Sequence, residues 1–172
     1  MSFIRKANEM QVEHKKMFGG EGEAEIPRMV ELSRELPVEV RFIELMPIGE
    51  CAHWPEERFI ENSKVLSAVP ELEPAGASGV ARLYALPNAK GKVGLISPLS
   101  AHFCPECNRL RITPDGRLKP CLHSAQEIEL RGFHGAELDA KLMEGICAKP
   151  MRHHLSAVSP SESLRGMSRI GG

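Results

Sequence analysis

The sequence lacks three features that would point to particular classes of protein. It has no strong excess of one charge, because 22 lysine and arginine residues face 23 aspartate and glutamate residues. Proteins that bind nucleic acid without specificity carry a basic excess, so the net charge of −1 argues against nucleic acid as a partner. No apolar run approaches the length of a membrane span, and no signal-peptide apolar core follows the first residues. We therefore expect a soluble, cytoplasmic protein with no membrane partner.

The chain also lacks the even number of cysteines that is typical of a disulfide framework. It has five, and three of them, Cys104, Cys107 and Cys121, lie in one short stretch. In a cytosolic protein such clustering indicates metal or redox chemistry before disulfides. The length of 172 residues is enough for one domain with a real core.

Hydrophobic periodicity and turn signals predict a mixed α/β fold. A helix followed by a strand near residue 40 is half of a βαβ unit, so a parallel sheet is one expectation. The predicted elements are a helix at 2–18, an acidic linker at 21–25, a helix opened by Pro27, a mostly buried strand at 38–45, a short helix capped by Asn62 or Ser63, a loop at 70–79, a hairpin of 80–86 with 92–97, a second hairpin of 109–113 with 118–122, and a helix at 135–149.

Two packing expectations accompany these elements. Glu44 has Arg41 nearby on the predicted strand, which indicates a structural ion pair. The last helix has helical spacing of apolar residues, and we expect a buried face made of Leu138, Leu142, Ile146 and Cys147.

The cysteine stretch supports more than one kind of site. Cys104 and Cys107 share one tight turn, and the second hairpin carries Cys121 back toward them. A tetrahedral zinc ion could take the three sulfurs and His123. An iron–sulfur cluster could take the three sulfurs and leave one iron open. A third interpretation makes the cysteines small buried hydrophobic residues, and the spacing alone does not choose between zinc and a cluster.

Arg109 and Arg111 directly follow the first cysteine pair and alternate along a predicted strand. Alternate strand residues point to one face, so we expect both guanidinium groups on one side. Such a pair suits an anionic or base-like ligand held by bidentate hydrogen bonds, whereas solvated surface arginines are the simpler alternative.

Several motifs resemble, in the same order, the molybdenum cofactor biosynthesis protein A family, the radical SAM GTP 3′,8-cyclases. The resemblance covers residues 38–172 and implies an incomplete (β/α) TIM-type barrel, followed by an α+β cluster-binding region with antiparallel hairpins. The motifs are Val40–Pro47, Gly94–Pro98, Phe103–Arg111 with Asp115-Gly116 and Leu118–Leu122, Lys149–His153, and the Gly171-Gly172 end. We expect residues 1–50 to be the last part of the barrel and residues 51–172 to be the region that binds the cluster and GTP.

The resemblance also implies roles for single residues. Cys104, Cys107 and Cys121 would hold a 4Fe-4S cluster whose open iron binds the purine of GTP. The segment Arg109-Leu110-Arg111 would contact GTP, and Met46 would contact S-adenosylmethionine. Gly171 and Gly172 would enter the active site and be needed for cyclisation, because glycine fits where side chains do not. His123 does not match a cluster ligand of the family.

One family motif is missing from the sequence. The Cys-x3-Cys-x2-Cys motif for the cluster that cleaves S-adenosylmethionine does not occur, and Cys51 and Cys147 are isolated. We therefore expect the chain to be the C-terminal half of such an enzyme, encoded by a truncated or split gene. We expect this half to be inactive alone. Its strand at 38–45 would lack neighbours, so we expect either oligomers or an N-terminal radical SAM partner.

Overall fold

The computed structural model describes residues 22–170, which form two compact units. The first unit contains residues 22–45 and 55–101, and the second contains residues 46–54 and 102–170. The helix predicted at 2–18 and the tail glycines Gly171 and Gly172 lie outside the described residues. The helices and strands are α1 (Gly22–Glu35), β1 (Glu39–Ile43), α2 (Ser63–Ala68), β2 (Glu73–Ser78), β3 (Ala81–Ala85), β4 (Lys92–Ile96), β5 (Arg111–Ile112), β6 (Arg117–Lys119), β7 (Ile128–Glu129) and α3 (Gly135–Cys147).

The first unit is a four-stranded sheet in the order β1-β4-β3-β2, with α1 packed against β1 and β4 and α2 packed against α1. The β3–β4 hairpin is antiparallel as predicted, and β1 pairs with β4 in parallel. Apolar residues alternate inward along β1, where Val40 and Phe42 are buried and their neighbours are exposed. The core consists of Ile26, Val30, Val40, Phe42, Val65, Leu72, Leu86, Val93 and Leu95.

The mixed α/β class and the antiparallel hairpins are confirmed, and no closed barrel occurs within residues 22–170. In this part of the chain β1 is an edge strand, with β4 as its one neighbour. No helix in the described range is long and apolar enough to span a membrane.

Two local predictions in the first unit are wrong, and each concerns a segment that contains a proline. Residues 22–25 are helical and not a linker, so Pro27 lies inside α1 instead of opening it. The predicted loop at 70–79 contains β2, which tolerates Pro74 because it is an edge strand. Gly76 has a φ of +102° and follows Pro74 at a register shift, so a bulge accommodates both residues.

Glu44 does not pair with Arg41, which instead pairs with Glu39. The Glu44 carboxylate is buried just after β1 and accepts hydrogen bonds from the backbone N–H groups of Asn62 at 3.1 Å and of Leu99 at 2.9 Å. A buried carboxylate is stable only when such donors surround it. Asn62 stands at the N-cap of α2, but its side-chain Nδ2 donates to Ile96 O at 2.9 Å, and its side chain does not cap the helix.

The second unit contains the three-stranded antiparallel sheet β5-β6-β7, with α3 packed against β6 and β7. The helix predicted at 135–149 is confirmed as α3, and Leu138 and Leu142 of its predicted buried face are half-buried, but the prediction is wrong for the other two residues of that face. Ile146 and Cys147 are exposed, whereas Gly145 is the residue buried beneath the helix. Gly145 allows close approach, because a Cβ atom there would overlap Leu118 Cδ2 and lie 3.0 Å from Leu118 Cγ.

We predict that Gly145→Ala destabilises the protein by about 1 kcal/mol. Overpacking a filled core costs about 1–3 kcal/mol, and the better helix propensity of alanine returns up to about 1 kcal/mol. Urea unfolding measures the difference in the free energy of unfolding.

Gly166→Ala is the matched control for this change. Its φ of −67° suits alanine, and a Cβ atom there would meet nothing within 4 Å. Equal stability of the two variants would contradict the close packing of α3 on β6.

Candidate metal centre

Cys104 and Cys107 lie on one short turn of the second unit. A 3-10 turn spans Cys104–Glu106, with Pro105 in its first turn, and Cys107 N donates to Cys104 O at 3.1 Å. Proline suits this position because its fixed φ matches the turn and its missing N–H is not needed there. Both thiols are free and half-buried, so they can bind a group that approaches from solvent.

The second hairpin carries Cys121 back as predicted, although its strands are shorter. β5 and β6 pair at Arg111 with Lys119 and at Ile112 with Leu118. The turn at 114–116 is closed by Gly116 N, which donates to Thr113 O at 2.9 Å and has a φ of +77°. Cys121, also free and half-buried, follows β6 by two residues.

The shorter strand separates the two arginines. Arg111 is in β5 and half-buried, whereas Arg109 precedes the strand and is exposed, with Leu110 half-buried between them. Arg109 therefore lies outside the strand on which the same-face expectation depended, and that expectation stays a prediction. The proposed contacts of the two arginines with a nucleotide stay a prediction.

Lys149 links the two segments that carry the cysteines. Its Nζ donates to Arg109 O at 2.8 Å and to Pro120 O at 3.2 Å. Arg109 is two residues beyond Cys107, and Pro120 directly precedes Cys121. One ammonium group with two carbonyl acceptors thus holds the turn and the hairpin side by side. The sequence pattern gave no sign of this contact, because Lys149 looks like an ordinary cation at a helix end.

Three histidines lie close together, and two of them, His102 and His153, lie beside Cys104. The rings of His102 and His153 have centroids 4.4 Å apart, and those of His123 and His153 are 4.6 Å apart. His123 is buried, and the other two are half-buried. His102 and His153 were not predicted to share a site, since they are far apart in sequence and neither belongs to a cysteine-histidine spacing pattern.

The surroundings hold two of these rings neutral. Burial, and after it the unfavourable electrostatic interaction with His153 and Arg111, lowers the pKa of His123 to about 4. Burial, and after it the unfavourable electrostatic interaction with His102 and Arg152, lowers the pKa of His153 to about 4. Both imidazoles are therefore uncharged at neutral pH, which is the form that binds metals.

The described residues contain one group of three side chains whose potential ligand atoms all lie within 4.8 Å of one another: His102, Cys104 and His153. The set of Cys104, Cys107, Cys121 and His123 does not converge to that extent within residues 22–170. A single zinc ion would need its sulfur ligands about 3.8 Å apart, whereas a four-iron cluster binds each sulfur on a different iron. The zinc alternative is therefore no better supported than the cluster.

The donor chemistry of this part of the unit fits an iron–sulfur group. Three free, half-buried thiols lie on a turn and a hairpin that Lys149 holds together. Cysteine thiolates are the usual ligands of such clusters. Ligation by Cys104, Cys107 and Cys121 stays a prediction.

Arg165 connects the C-terminal segment to the hairpin. Its guanidinium makes bidentate hydrogen bonds to Asp115 at 2.8 and 2.7 Å and to Glu127 at 2.6 and 2.7 Å. Lys119, which is 1% exposed, adds its ammonium to Glu127 at 3.4 Å and donates to Ser124 O at 2.6 Å. Planar fork geometry lets one arginine hold two carboxylates, so this network fixes the turn, β6 and the approach to the C-terminus.

The remaining predicted site residues are placed as follows. Met46 is half-buried in the second unit, in the irregular segment after β1, and its contact with S-adenosylmethionine stays a prediction. Cys51 is half-buried in a separate 3-10 turn, where burial and the charge of Glu50 raise the pKa of its thiol. Gly171 and Gly172 lie outside the described residues.

The fold and the site together define a small α/β protein with a thiol-rich candidate metal centre. The chain belongs to the Molybdenum Cofactor Synthesis C family, whose family model matches residues 38–155. It is similar to proteins named GTP 3′,8-cyclase. The protein from Alkaliphilus metalliredigens is 47% identical over 161 residues, and that from Alkaliphilus oremlandii is 45% identical over 159 residues.

These matches cover nearly the whole chain but only part of each relative. The Alkaliphilus metalliredigens match includes 91% of this chain and 50% of the relative, and a 38% identical match from Desulforamulus reducens includes 98% and 56%. The chain spans about half the length of the curated relatives it matches.

We predict that Glu127→Gln weakens stability and flattens its dependence on acid pH. Hydrogen bonds from Arg165, and after them the charge of Lys119, lower the pKa of Glu127 below its ordinary value of 4.5. A carboxylate with a lowered folded pKa stabilises the fold above its unfolded pKa and loses that contribution as pH falls. The loss expected for the variant is about 1 kcal/mol at pH 7, because partial exposure screens the pair.

Urea unfolding at several pH values from about 7 down to about 3 checks this expectation. Glu137→Gln, an exposed carboxylate on α3, is the control and should follow the unaltered chain. If the free energy of unfolding fell with decreasing pH as steeply in the Glu127 variant as in the unaltered chain, the network would not contribute to stability.

Proposed function

We propose that the chain is the C-terminal, substrate-binding part of a GTP 3′,8-cyclase in molybdenum cofactor synthesis. Its relatives bear that name, and its family is that of molybdenum cofactor synthesis. The observation that carries the proposal is that three free, half-buried cysteines lie on one turn and one hairpin, which Lys149 holds together. In this proposal Cys104, Cys107 and Cys121 hold a 4Fe-4S cluster.

A cluster with three cysteine ligands leaves one iron open, which would take the purine of GTP. The chain itself would bind and orient the nucleotide. Arg111 is half-buried and close enough to His123 to affect its pKa, and Arg109 is exposed. Guanidinium groups bind phosphate oxygens in a bidentate manner, so Arg109-Leu110-Arg111 would hold the anionic end of GTP.

The same proposal assigns roles that depend on a partner. Met46 would contact S-adenosylmethionine, and Gly171 and Gly172 would enter the reaction cavity. α1 and β1 would be the last elements of an incomplete (β/α) barrel. The chain alone would bind substrate without starting radical chemistry, which needs the Cys-x3-Cys-x2-Cys motif that its sequence does not contain.

Anaerobic reconstitution with iron and sulfide tests the cluster. We expect about four irons and four sulfides per chain, with a brown chromophore. Serine variants of Cys104, Cys107 and Cys121 should each lose most of this content. Serine variants of Cys51 and Cys147 are the matched controls and should retain it. One equivalent of zinc without a chromophore would overturn the assignment.

The nucleotide role is tested by titrating GTP into the reconstituted chain. The double variant Arg109→Ala, Arg111→Ala should bind GTP about tenfold or more weakly, since each charge-assisted hydrogen bond contributes about 1.5–3 kcal/mol. Arg82→Ala removes an exposed arginine of β3 in the other unit and should leave the affinity unchanged. Equal affinity in the double variant would remove the role given to the two arginines.

We also propose that the outer edge of β1, which has no neighbouring strand among residues 22–170, takes another strand, from an N-terminal radical SAM half or from a second copy. The edge presents backbone N–H and C=O groups that β4 does not satisfy, and such edges favour pairing with another chain. Sedimentation of the isolated chain should therefore show oligomers, or a monomer that associates with an added N-terminal half. A monodisperse monomer that does not bind the added N-terminal half would contradict this proposal.

A further inference from the structure

We propose that His102, Cys104 and His153 form a mononuclear site for a divalent ion of the zinc class. This site is distinct from the three-cysteine set, with which it shares Cys104. It goes beyond the proposed function, and only its competition with the cluster rests on that function.

The geometry of the three side chains supports this site. One ligand atom of each lies within 4.8 Å of the other two, and all three residues are half-buried. Zinc bonds of about 2.0–2.3 Å place neighbouring ligand atoms about 3.3–3.8 Å apart, so the side chains have to close by no more than about 1.5 Å. Two imidazoles and one thiolate are donors that zinc and cobalt(II) prefer. Three protein ligands leave a fourth position open for water.

His123 provides an independent sign that a ligand belongs here. It is 7% exposed, and its Nδ1 is buried with no hydrogen-bond partner among the described residues. Its ring lies 4.6 Å from that of His153, at the border of the proposed site. A buried imidazole nitrogen without a partner is costly, and a water on the open metal position would supply one.

Metal binding would change one backbone contact. Leu155 N donates to His153 Nδ1 at 3.2 Å, which places the proton of the neutral ring on Nε2. A metal on Nδ1 replaces this hydrogen bond, and a metal on Nε2 moves the ring proton to Nδ1, which then repels the Leu155 N–H. Either route gives up one long hydrogen bond, so the Leu155 amide becomes a reporter of binding.

Sharing Cys104 makes the two metal groups exclusive. A thiolate that binds a mononuclear ion is not available to a cluster that needs all three cysteines. Zinc in the mononuclear site should therefore block cluster assembly on the proposed three-cysteine set, and a preassembled cluster should block cobalt(II) binding.

Cobalt(II) titration of the reduced, metal-free chain tests the site, because the sulfur-to-cobalt charge-transfer band grows with the number of thiolate ligands. We expect one equivalent with the intensity of a single thiolate, displaced by zinc. Alanine variants of His102 and His153, and Cys104→Ser, should bind at least about tenfold more weakly. Cys107→Ser and Cys121→Ser should bind as the unaltered chain does. His154→Ala changes an exposed neighbouring imidazole and is the matched control.

Circular dichroism confirms that each variant folds, and the amide signal of Leu155 should shift on cobalt binding in the unaltered chain. A band with the intensity of three thiolates that Cys107→Ser weakens would assign the metal to the three-cysteine set and overturn the proposal. Absence of cobalt binding in the unaltered chain would also overturn it. Failure of iron and sulfide incorporation alone would contradict the cluster and leave this site standing.

Discussion

Two short strands that pair at only two positions decide where the cysteine-bearing segments lie. The register of Arg111 with Lys119 and of Ile112 with Leu118 returns the chain toward its first cysteine pair. Such a small hairpin is not stable alone in water. Its stability comes from what surrounds it: Gly145 of α3 lies against Leu118, and Lys149 binds carbonyls on both sides of the hairpin.

The charged side chains around this hairpin pair with side chains of opposite charge. The carboxylates of Asp115 and Glu127 meet the guanidinium of Arg165, and the buried ammonium of Lys119 joins them. Nearer to the cysteines, the rings of His123 and His153 are held neutral, chiefly by burial.

The sequence was a good guide to features that depend on local chemistry. Pro114, Asp115 and Gly116 predicted the turn because few other residues adopt its backbone angles. It was a poor guide where tertiary contacts decide. Pro74 and Gly76 are loop residues by composition, yet a free sheet edge allows them in β2. Ile146 has the better hydrophobicity for a buried position, but only Gly145 lets α3 approach Leu118.

The candidate site shows the same division. The spacing of Cys104, Cys107 and Cys121 can be recognised from the sequence, because the pair shares one turn and the hairpin signal lies between the pair and the third cysteine. The approach of His153 to His102 cannot, since the two residues are 51 positions apart by their numbers and no periodic pattern links them. The sequence predicted Arg41, the nearest cation, as the partner of Glu44. In the fold the Glu44 carboxylate instead accepts hydrogen bonds from backbone N–H groups of two segments that are distant in sequence.

The contact between Arg165 and Asp115 spans 50 positions in the sequence, which sets an order for events during synthesis. Ribosomes add about 5–20 residues per second, so Arg165 is synthesised several seconds after Asp115, the turn carboxylate that it neutralises. During that interval all three clustered cysteines have been synthesised, whereas Arg165 has not. The network that ties the hairpin to the C-terminal segment therefore forms only after the cysteine-bearing segments exist.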